Sequence, residues 1–375
     1  MTSNTLQHLQ TLGQSIWYDN IQRSMLGADG ELARMIRDDG LAGVTSNPSI
    51  FEKAIGGSSD YDVSLRQLLQ QNGKLSSREL FFSLAIEDIQ QAADLLLPVY
   101  KKSDGQDGYI SLEVSPDLAY DTAGTIAEAK DLAHRVNRPN LMIKVPATRE
   151  GVPAVEALIA AGISINATLL FSMERYAEIA QAYIRGLRQR QQQRLPVDRI
   201  ASVASFFVSR VDVLIDKLLD EKIAAGGDPK LKALKGQIAI ANAKASYLVY
   251  QRLFGEGFAD LANIGAHSQR LLWASTGVKN PDYSDVLYIE ELIGPDTVNT
   301  VPPATYAAYL DHGEPAARLE IGMKEAPALL AQLALAGIDL SAATQQLEDE
   351  GVKSFDKSFQ TLLAAIDGKA RSLAA

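Results

Sequence analysis

The chain has 375 residues, of which 46% are hydrophobic and 22% charged, and this ordinary globular composition excludes a disordered chain. Its 46 acidic residues outnumber its 36 basic residues, and the formal net charge of −10 argues against nucleic acid as a partner. The chain has no cysteine, which excludes disulfides, thiolate nucleophiles, iron–sulfur clusters and cysteine zinc sites.

The N-terminal segment resembles no secretory signal, and no apolar run reaches the ~18 residues of a membrane-spanning helix. The sequence therefore predicts a cytoplasmic protein with no membrane contact. Its histidines, His8, His134, His267 and His312, never lie three or four residues apart, so a histidine-built metal site is not supported.

Eight short apolar and β-branched runs alternate with longer amphipathic patterns, as in βα units around a parallel sheet. The runs predict strands at residues 15–20, 42–48, 108–115, 141–146, 164–171, 202–209, 270–276 and 298–302. Eight parallel strands are typical of the α/β fold called the (β/α)8 or TIM barrel, which is the predicted fold.

Apolar residues at spacings of three and four predict helices at 79–100, 119–137, 152–161, 173–194 and 211–225. The stretches 55–100 and 228–268 exceed a minimal βα unit and predict additional helices. Residues 318–375 contain no strand pattern and predict a C-terminal extension of two or three helices packed outside the barrel. We find no linker, so residues 1–375 are predicted to form a single barrel domain with this tail.

No nucleotide or nucleic-acid motif is present. The only locally basic segment, residues 185–194, has no interleaved aromatic residue, which favours a solvated helix end. The glycine pairs at 56–57 and 226–227 match neither a dinucleotide fingerprint nor a P-loop.

Polar residues recur at a spacing of two in several predicted strands, mostly in the C-terminal half, where barrel enzymes hold their active sites. Both faces of a buried parallel strand are usually apolar, so these polar side chains must point together at something that satisfies them. The residues are Asp19, Thr45, Asn47, Ser111, Glu113, Ser115, Lys144, Asn166, Thr168 and Ser205. Their convergence in one barrel interior predicts a catalytic site.

Structural alternatives stay open for single residues. An aspartate at a strand end, such as Asp19, is often a helix N-cap, and a strand Asn or Thr often bonds a neighbouring loop. Lys144 has the alternative of a structural ion pair with Glu113 or Asp19, because an unpaired buried ammonium is costly.

A lysine in an apolar strand favours amine chemistry, because desolvation lowers a lysine pKa toward the range of a nucleophilic amine. Such an amine attacks a ketone to form a Schiff base, whose cationic nitrogen stabilises a neighbouring carbanion as an enamine. Lys144 is thus a candidate for aldol chemistry.

Five segments resemble, in this order, the motifs of transaldolases, the Schiff-base barrel enzymes of the pentose phosphate pathway. They are GVTSNPSIF at 43–51, SLEVSPDLAYDT at 111–122, LMIKVPAT at 141–148, INATLLFS at 165–172 and SFFVSRVD at 205–212. The resemblance covers nearly the whole chain, and the ending GVKSFDKSFQTLLAAI at 351–366 is similar to the longer bacterial branch of the family.

The resemblance implies that Lys144 is the Schiff-base nucleophile. It implies that Asp19 is the acid/base for the hydroxyl whose carbon–carbon bond is cut. Glu113 is expected to act through a water bonded to Thr168 during carbinolamine formation and loss. The implied substrate-binding residues are Thr45, Asn47, Asn166 and Ser205, with Phe207 as a nearby aromatic wall and Arg210 as the phosphate contact.

One motif departs from the family. Many transaldolases have an Ala-Ser-Phe-Arg run after strand seven, whereas this chain has WASTGVK at 273–279. The remaining phosphate contact is therefore expected from Lys279 with Ser275, or from a residue elsewhere in the chain. Arg210 is the stronger candidate, because a guanidinium binds phosphate in a bidentate manner and an ammonium binds it as a point charge.

The implied reaction transfers a dihydroxyacetone unit from sedoheptulose 7-phosphate or fructose 6-phosphate to an aldose phosphate, glyceraldehyde 3-phosphate or erythrose 4-phosphate. No metal or organic cofactor is implied. Two alternatives stay open: another class I sugar-phosphate aldolase, and a non-catalytic sugar-phosphate-binding barrel in which Lys144 is only an ion-pair partner. The sequence does not give the oligomeric state or the acceptor preference.

Overall fold

The computed structural model describes residues 4–374, and eight parallel strands within that range form a closed barrel. Each strand pairs with its neighbours in chain order, and β8 closes the ring against β1. The strands are β1 (Gln14–Tyr18), β2 (Gly43–Val44), β3 (Tyr109–Glu113), β4 (Leu141–Pro146), β5 (Ile165–Leu170), β6 (Ser202–Phe207), β7 (Arg270–Ala274) and β8 (Thr297–Val301). The predicted (β/α)8 barrel is confirmed.

Helices surround the barrel. They are α1 (Thr5–Thr11), α2 (Glu31–Arg34), α3 (Pro48–Gly56), α4 (Asp62–Gln71), α5 (Ser77–Lys102), α6 (Thr122–Val136), α7 (Gly151–Ala160), α8 (Met173–Gln192), α9 (Ser209–Ala224), α10 (Ile238–Leu253), α11 (Ala259–Ala262), α12 (Leu287–Glu290), α13 (Pro303–His312), α14 (Ala326–Leu335) and α15 (Leu340–Ala374). Single 3₁₀ segments lie at Arg23–Met25, Pro116–Leu118, Pro229–Leu234 and Glu256–Phe258, and a π-helical turn lies at Met35–Asp39. The additional helices predicted within 55–100 and 228–268 are present.

The second strand is shorter than the predicted 42–48. Asn47 caps α3, because its side-chain oxygen accepts a hydrogen bond from the backbone amide of Ile50 (3.0 Å). Pro48 occupies the first position of α3, where a missing amide hydrogen costs no helical hydrogen bond. Thr45 and Asn47 therefore lie in the β2–α3 connection, at the C-terminal end of the barrel.

Charged and polar side chains fill the N-terminal end of the barrel. Asp107 accepts hydrogen bonds from the Ser15 hydroxyl (2.7 Å) and the Trp17 indole (3.1 Å). Arg270 donates to the same carboxylate (2.9 Å), so one ion pair ties the start of β7 to this cluster. These groups satisfy one another.

The C-terminal tail contains α14 and α15, in agreement with the predicted helical extension. The longer helix α15 packs on the surrounding helices α3, α4 and α5 and also contacts β5 of the barrel. That residues 1–375 form a single domain stays a prediction, which limited proteolysis would test.

Within residues 4–374, no single helix is both long and apolar enough to cross a membrane. The pair α14 and α15 meets the length and composition together, but the chain bends by 95° at the break between them.

Candidate active site

Strand register brings three of the predicted residues side by side. Glu113 on β3 pairs with Lys144 on β4, and Lys144 pairs with Asn166 on β5. Paired residues of neighbouring parallel strands point to the same face of the sheet. The three side chains are buried and form one polar row inside the barrel.

The Lys144 ammonium is held by two neighbours. Its Nζ lies 3.2 Å from Oε2 of Glu113 and donates a hydrogen bond of 3.2 Å to the backbone carbonyl of Ser46. The residue is only 4% exposed. The ion pair that the structural interpretation of Lys144 requires is therefore present, so this contact alone does not distinguish a structural lysine from a catalytic one.

Asp19 follows β1 directly and does not cap a helix. Its Oδ1 accepts a hydrogen bond from the Thr45 hydroxyl (2.7 Å), and Thr45 in turn contacts the Thr300 hydroxyl (2.6 Å). The N-cap positions of the next helical segments are Gln22 and Gly30. Asp19 is therefore fixed by the barrel interior, beside the predicted nucleophile.

Three buried oxygens near Lys144 lack a hydrogen-bond partner among residues 4–374. They are Oγ1 of Thr168 and both carboxyl oxygens of Glu113, of which Oε2 forms the ion pair with Lys144. Buried polar groups are rarely left unsatisfied, and an unpaired one indicates a place where water or a ligand binds. A water shared by Glu113 and Thr168 requires unpaired oxygens of this kind on both residues.

Asn166 is committed to neighbouring strands. Its Nδ2 donates to the Ser111 hydroxyl (3.1 Å), and its Oδ1 accepts from the Ser205 hydroxyl (2.6 Å). These bonds fix the amide on the layer below the cavity opening. The predicted contact of Asn166 with a substrate hydroxyl would therefore have to use its second amide hydrogen.

A cavity of about 180 Å³ opens at the C-terminal end of the barrel, above these residues. Its wall contains every predicted site residue except Glu113 and Asn166, which lie just behind it. The predicted residues in the wall are Asp19, Thr45, Asn47, Lys144, Thr168, Ser205, Phe207, Arg210, Ser275 and Lys279. The structure thus brings all twelve predicted residues to one place.

The cationic part of the wall lies on α9 and the loop after β7. The Arg210 guanidinium stacks on the Phe207 ring, with 5.4 Å from its carbon to the ring centroid. Ser275 has a left-handed backbone (φ 53°), which is uncommon for a residue with a side chain, and contacts the Ser209 hydroxyl (3.0 Å). Lys279 lies in the same loop after β7 as Ser275. Arg210 on α9 and Lys279 in this loop therefore line one cavity from different elements.

Sequence comparison agrees with this geometry. The sequence model of the transaldolase/fructose-6-phosphate aldolase family matches residues 16–366. The chain is 48% identical to a transaldolase of Thiobacillus denitrificans, over 97% of this chain and 99% of that protein. It is 45% identical to transaldolase 2 of a Nostoc species, over 100% and 99% of the two chains, and 46% identical to transaldolase 1 of Streptomyces avermitilis, over 97% and 96%.

The chain belongs to the transaldolase/fructose-6-phosphate aldolase family. This confirms the family resemblance of the motifs and makes the chain an enzyme of the transaldolase type. The roles of the individual residues stay predictions, because neither the match nor the relatives' names assign them.

In this member of the family, burial raises the pKa of two carboxyl groups at the site. The pKa of Asp19 lies above its usual value because of desolvation, although the Lys144 charge and the Thr45 hydrogen bond oppose the shift. Desolvation also raises the pKa of Glu113, and the nearby Asp19 charge adds to the rise while Lys144 opposes it. Both groups are thereby suited to exchange protons closer to neutral pH.

Sequence reasoning missed several cavity residues that this transaldolase-type barrel brings to the wall. They are Ser49, Ala274, Gly277, Thr300, Pro302 and Phe355. Thr300 carries a signal, since it is a polar residue near the C-terminal end of β8, like those found on the other strands. Phe355 carries none, because an apolar residue on an amphipathic helix predicts only packing. No group of three or more His, Cys, Asp or Glu side chains in the described part of the chain is arranged to hold a metal ion.

Proposed function

We propose that this protein transfers a dihydroxyacetone unit from a ketose phosphate to an aldose phosphate through a Schiff base on Lys144. The observation that carries the proposal is the position of the Lys144 amine, in the wall of a cavity between two carboxyl groups of raised pKa. The donors are sedoheptulose 7-phosphate and fructose 6-phosphate, and the acceptors are glyceraldehyde 3-phosphate and erythrose 4-phosphate. The reaction belongs to the pentose phosphate pathway that the relatives' name implies.

The first step is attack of the neutral Lys144 amine on the C2 carbonyl of the ketose. Glu113 lies 3.2 Å from that amine and accepts its proton. A water held between Glu113 and Thr168 then carries protons to and from the C2 oxygen, so that the carbinolamine loses water and becomes the iminium. The oxygens of Glu113 and Thr168 that lack a hydrogen-bond partner among the described residues support this role.

The second step breaks the C3–C4 bond. Asp19 removes the proton of the C4 hydroxyl, the aldose leaves, and the bond electrons pass into the iminium to form an enamine on Lys144. The enamine then attacks the acceptor aldehyde, Asp19 returns the proton, and hydrolysis of the new iminium releases the product. The hydrogen bond from Thr45 supports this assignment, because it orients the Asp19 carboxylate.

Arg210 and Lys279 are proposed to bind the substrate phosphate at the outer part of the cavity. Burial lowers the pKa of Arg210, and Glu350 is the nearby carboxylate that opposes the shift. A guanidinium with reduced hydration gains much from a phosphate, which offers bidentate charged hydrogen bonds.

Arg210→Ala is expected to lower kcat/KM for fructose 6-phosphate by about 10- to 100-fold, because charged hydrogen bonds of ~1.5–3 kcal/mol are lost. The effect falls mainly on KM, since the phosphate is remote from the reacting carbons. Lys279→Ala should show the same pattern more weakly. Unphosphorylated fructose is the control, and equal damage to both substrates would move Arg210 out of the phosphate site.

The acidic limb of the kcat/KM profile is expected above pH ~4, where an ordinary aspartate titrates. Asp19 accepts a proton only as a carboxylate, and its raised pKa keeps it protonated to higher pH, so activity falls as the pH drops through that value. Circular dichroism at each pH separates this loss from unfolding. An acidic limb at or below pH ~4 would contradict a base of raised pKa.

Borohydride reduction followed by peptide mapping tests the proposed function. A substrate-derived mass on the peptide that holds Lys144 supports it, and a mass on any other peptide removes the assignment. The Lys144–Glu113 ion pair is also compatible with one rival, the non-catalytic sugar-phosphate-binding barrel, which predicts no covalent mass at all. A second rival, an aldolase that releases free dihydroxyacetone, predicts turnover without an acceptor aldehyde.

The cytoplasmic location and the absence of nucleic-acid and membrane partners stay predictions from the sequence. Cell fractionation would test the location.

A further inference from the structure

The tail helix α15 contributes one aromatic side chain to the cavity wall. Phe355 is 5% exposed and lines the cavity together with Lys144, Thr168 and Ser205. Its ring centroid lies 5.7 Å from the Lys144 Nζ. An aromatic ring at this distance covers the amine with apolar surface on the side of the C-terminal tail.

Contacts on both sides of Phe355 hold α15 in this position. Gly351, one turn earlier, packs on Leu169 of β5 so closely that an added Cβ atom would come within 2.9 Å of the leucine side chain. Leu169 follows Thr168 directly and has a left-handed backbone (φ 60°) at an irregularity of the β5–β6 pairing. The helix therefore rests on the segment that carries a predicted catalytic residue.

The other side of Phe355 is fixed on α3 and α5. The Ser358 hydroxyl bonds the Ser49 hydroxyl of α3 (2.8 Å). Phe359 packs edge-to-face on Phe81 of α5, with 5.5 Å between the ring centroids. Phe355 thus stands on a helix that is anchored before and after it, and its ring is held over the amine.

A transferase of this kind must protect its three-carbon intermediate from water. If the enamine on Lys144 takes a proton on carbon, it becomes an iminium, and one water then adds to the iminium carbon. The carbinolamine so formed expels the Lys144 nitrogen, which releases free dihydroxyacetone, restores the amine and returns the proton. Excluding water from the closed site suppresses this side reaction.

We propose that Phe355 is the residue that keeps water from the three-carbon adduct on Lys144, so that the adduct survives until an acceptor aldehyde arrives. Phe355 is then a specificity-determining residue, because it sets the ratio of sugar transfer to hydrolytic release. This inference rests on the proposed Schiff base on Lys144. It gives the C-terminal tail a direct part in the choice between transferase and aldolase behaviour.

The test compares free dihydroxyacetone released from fructose 6-phosphate without acceptor with sugar transfer in its presence. Phe355→Ala should raise the ratio of release to transfer by about tenfold or more, because water gains access to the adduct. Phe355→Leu retains more of the packing and should raise the ratio by a smaller but measurable factor. If the alanine variant does not fold, the ratio measured for Phe355→Leu still tests the inference.

Phe258→Leu is the matched control, because Phe258 is an equally buried phenylalanine that lies between α10 and α11, packs on Phe254 (5.1 Å between the ring centroids) and is outside the cavity wall. It should keep the parent ratio. A Phe355→Ala ratio equal to that of the parent, or a Phe258→Leu ratio raised as much, overturns the inference while borohydride trapping on Lys144 still supports the proposed function. A parent enzyme that gives no borohydride adduct overturns the Schiff base itself, and the two failures are therefore distinguishable.

Discussion

Lys144→Ala is expected to abolish borohydride trapping and to lower turnover by at least about 10⁴-fold, because the proposed covalent nucleophile is removed. In the proposed mechanism the reacting carbonyl sits between Asp19 and the Glu113 carboxyl, where we expect no other amine of the site to replace Lys144. The measurement is the sugar transfer rate with fructose 6-phosphate and erythrose 4-phosphate, together with peptide mass after borohydride. A covalent mass that persists in the variant would assign the nucleophile to another residue.

Lys279 is the residue to examine in that case, because it is the other lysine of the cavity wall. Lys244→Ala is the control for removing a buried lysine. Lys244 lies on α10 and pairs with Glu291 (3.4 Å), outside the cavity, so its alanine variant should keep trapping at Lys144. Trapping lost in both variants would indicate a general effect of buried-lysine removal.

The Lys144→Ala variant is expected to remain folded. Removing one partner of a buried ion pair usually costs ~3–5 kcal/mol, because the remaining charge is left without compensation. Here the remaining partner is Glu113, whose pKa is already raised by burial and rises further without the Lys144 charge. Glu113 can therefore take up a proton and become neutral, which relieves most of the penalty. Loss of the folded state, seen by circular dichroism, would favour the structural interpretation of Lys144.

The polar residues of the strands could be predicted from the sequence because a buried parallel strand has no solvated face. A polar residue at Glu113, Lys144 or Asn166 breaks the apolar pattern on both sides, and its position in the strand also gives its level in the barrel. The barrel follows from the same regular alternation of strands and helices. These features depend only on local periodicity, which the sequence contains.

Features that depend on tertiary approach could not be predicted. The early end of β2 follows from a competition at Asn47, whose side chain caps α3 instead of continuing the strand. The place of Phe355 follows from the packing of α15, and that helix approaches Leu169 closely at Gly351. Neither glycine nor phenylalanine is unusual in an amphipathic helix, so the sequence gives no sign that this one reaches the cavity.

The two carboxyl groups beside Lys144 have different surroundings, which is the physical basis for giving them different roles. Glu113 forms an ion pair with the amine, and neither of its oxygens has another hydrogen-bond partner among the described residues. Asp19 is partly exposed to the cavity, and Thr45 orients it. A group on the amine serves proton transfers of carbinolamine chemistry, and a group facing the cavity reaches a substrate hydroxyl farther along the sugar chain. Replacing each in turn should therefore stop the reaction at different stages.

Asp19→Asn is expected to separate Schiff-base formation from carbon–carbon cleavage. An amide keeps the shape of the carboxylate and still bonds Thr45, but it does not accept the proton of the C4 hydroxyl. The ketose should therefore remain on Lys144 uncleaved, and turnover should fall by about 10² to 10⁴, the usual cost of losing one acid/base group. Borohydride and mass analysis should show the six-carbon sugar phosphate on the variant and the three-carbon dihydroxyacetone unit on the parent.

Glu113→Gln is the matched variant for that experiment, because it changes the other carboxyl group of the site in the same way. It should slow the appearance of any adduct, since Glu113 is assigned to the formation and loss of the carbinolamine, and the adduct that does form should be cleaved to three carbons. If Asp19→Asn instead accumulates the three-carbon adduct at the parent rate, Asp19 is not the cleavage base. The six-carbon adduct should then appear in Glu113→Gln, because Glu113 is the remaining carboxylate beside Lys144 that can take the hydroxyl proton.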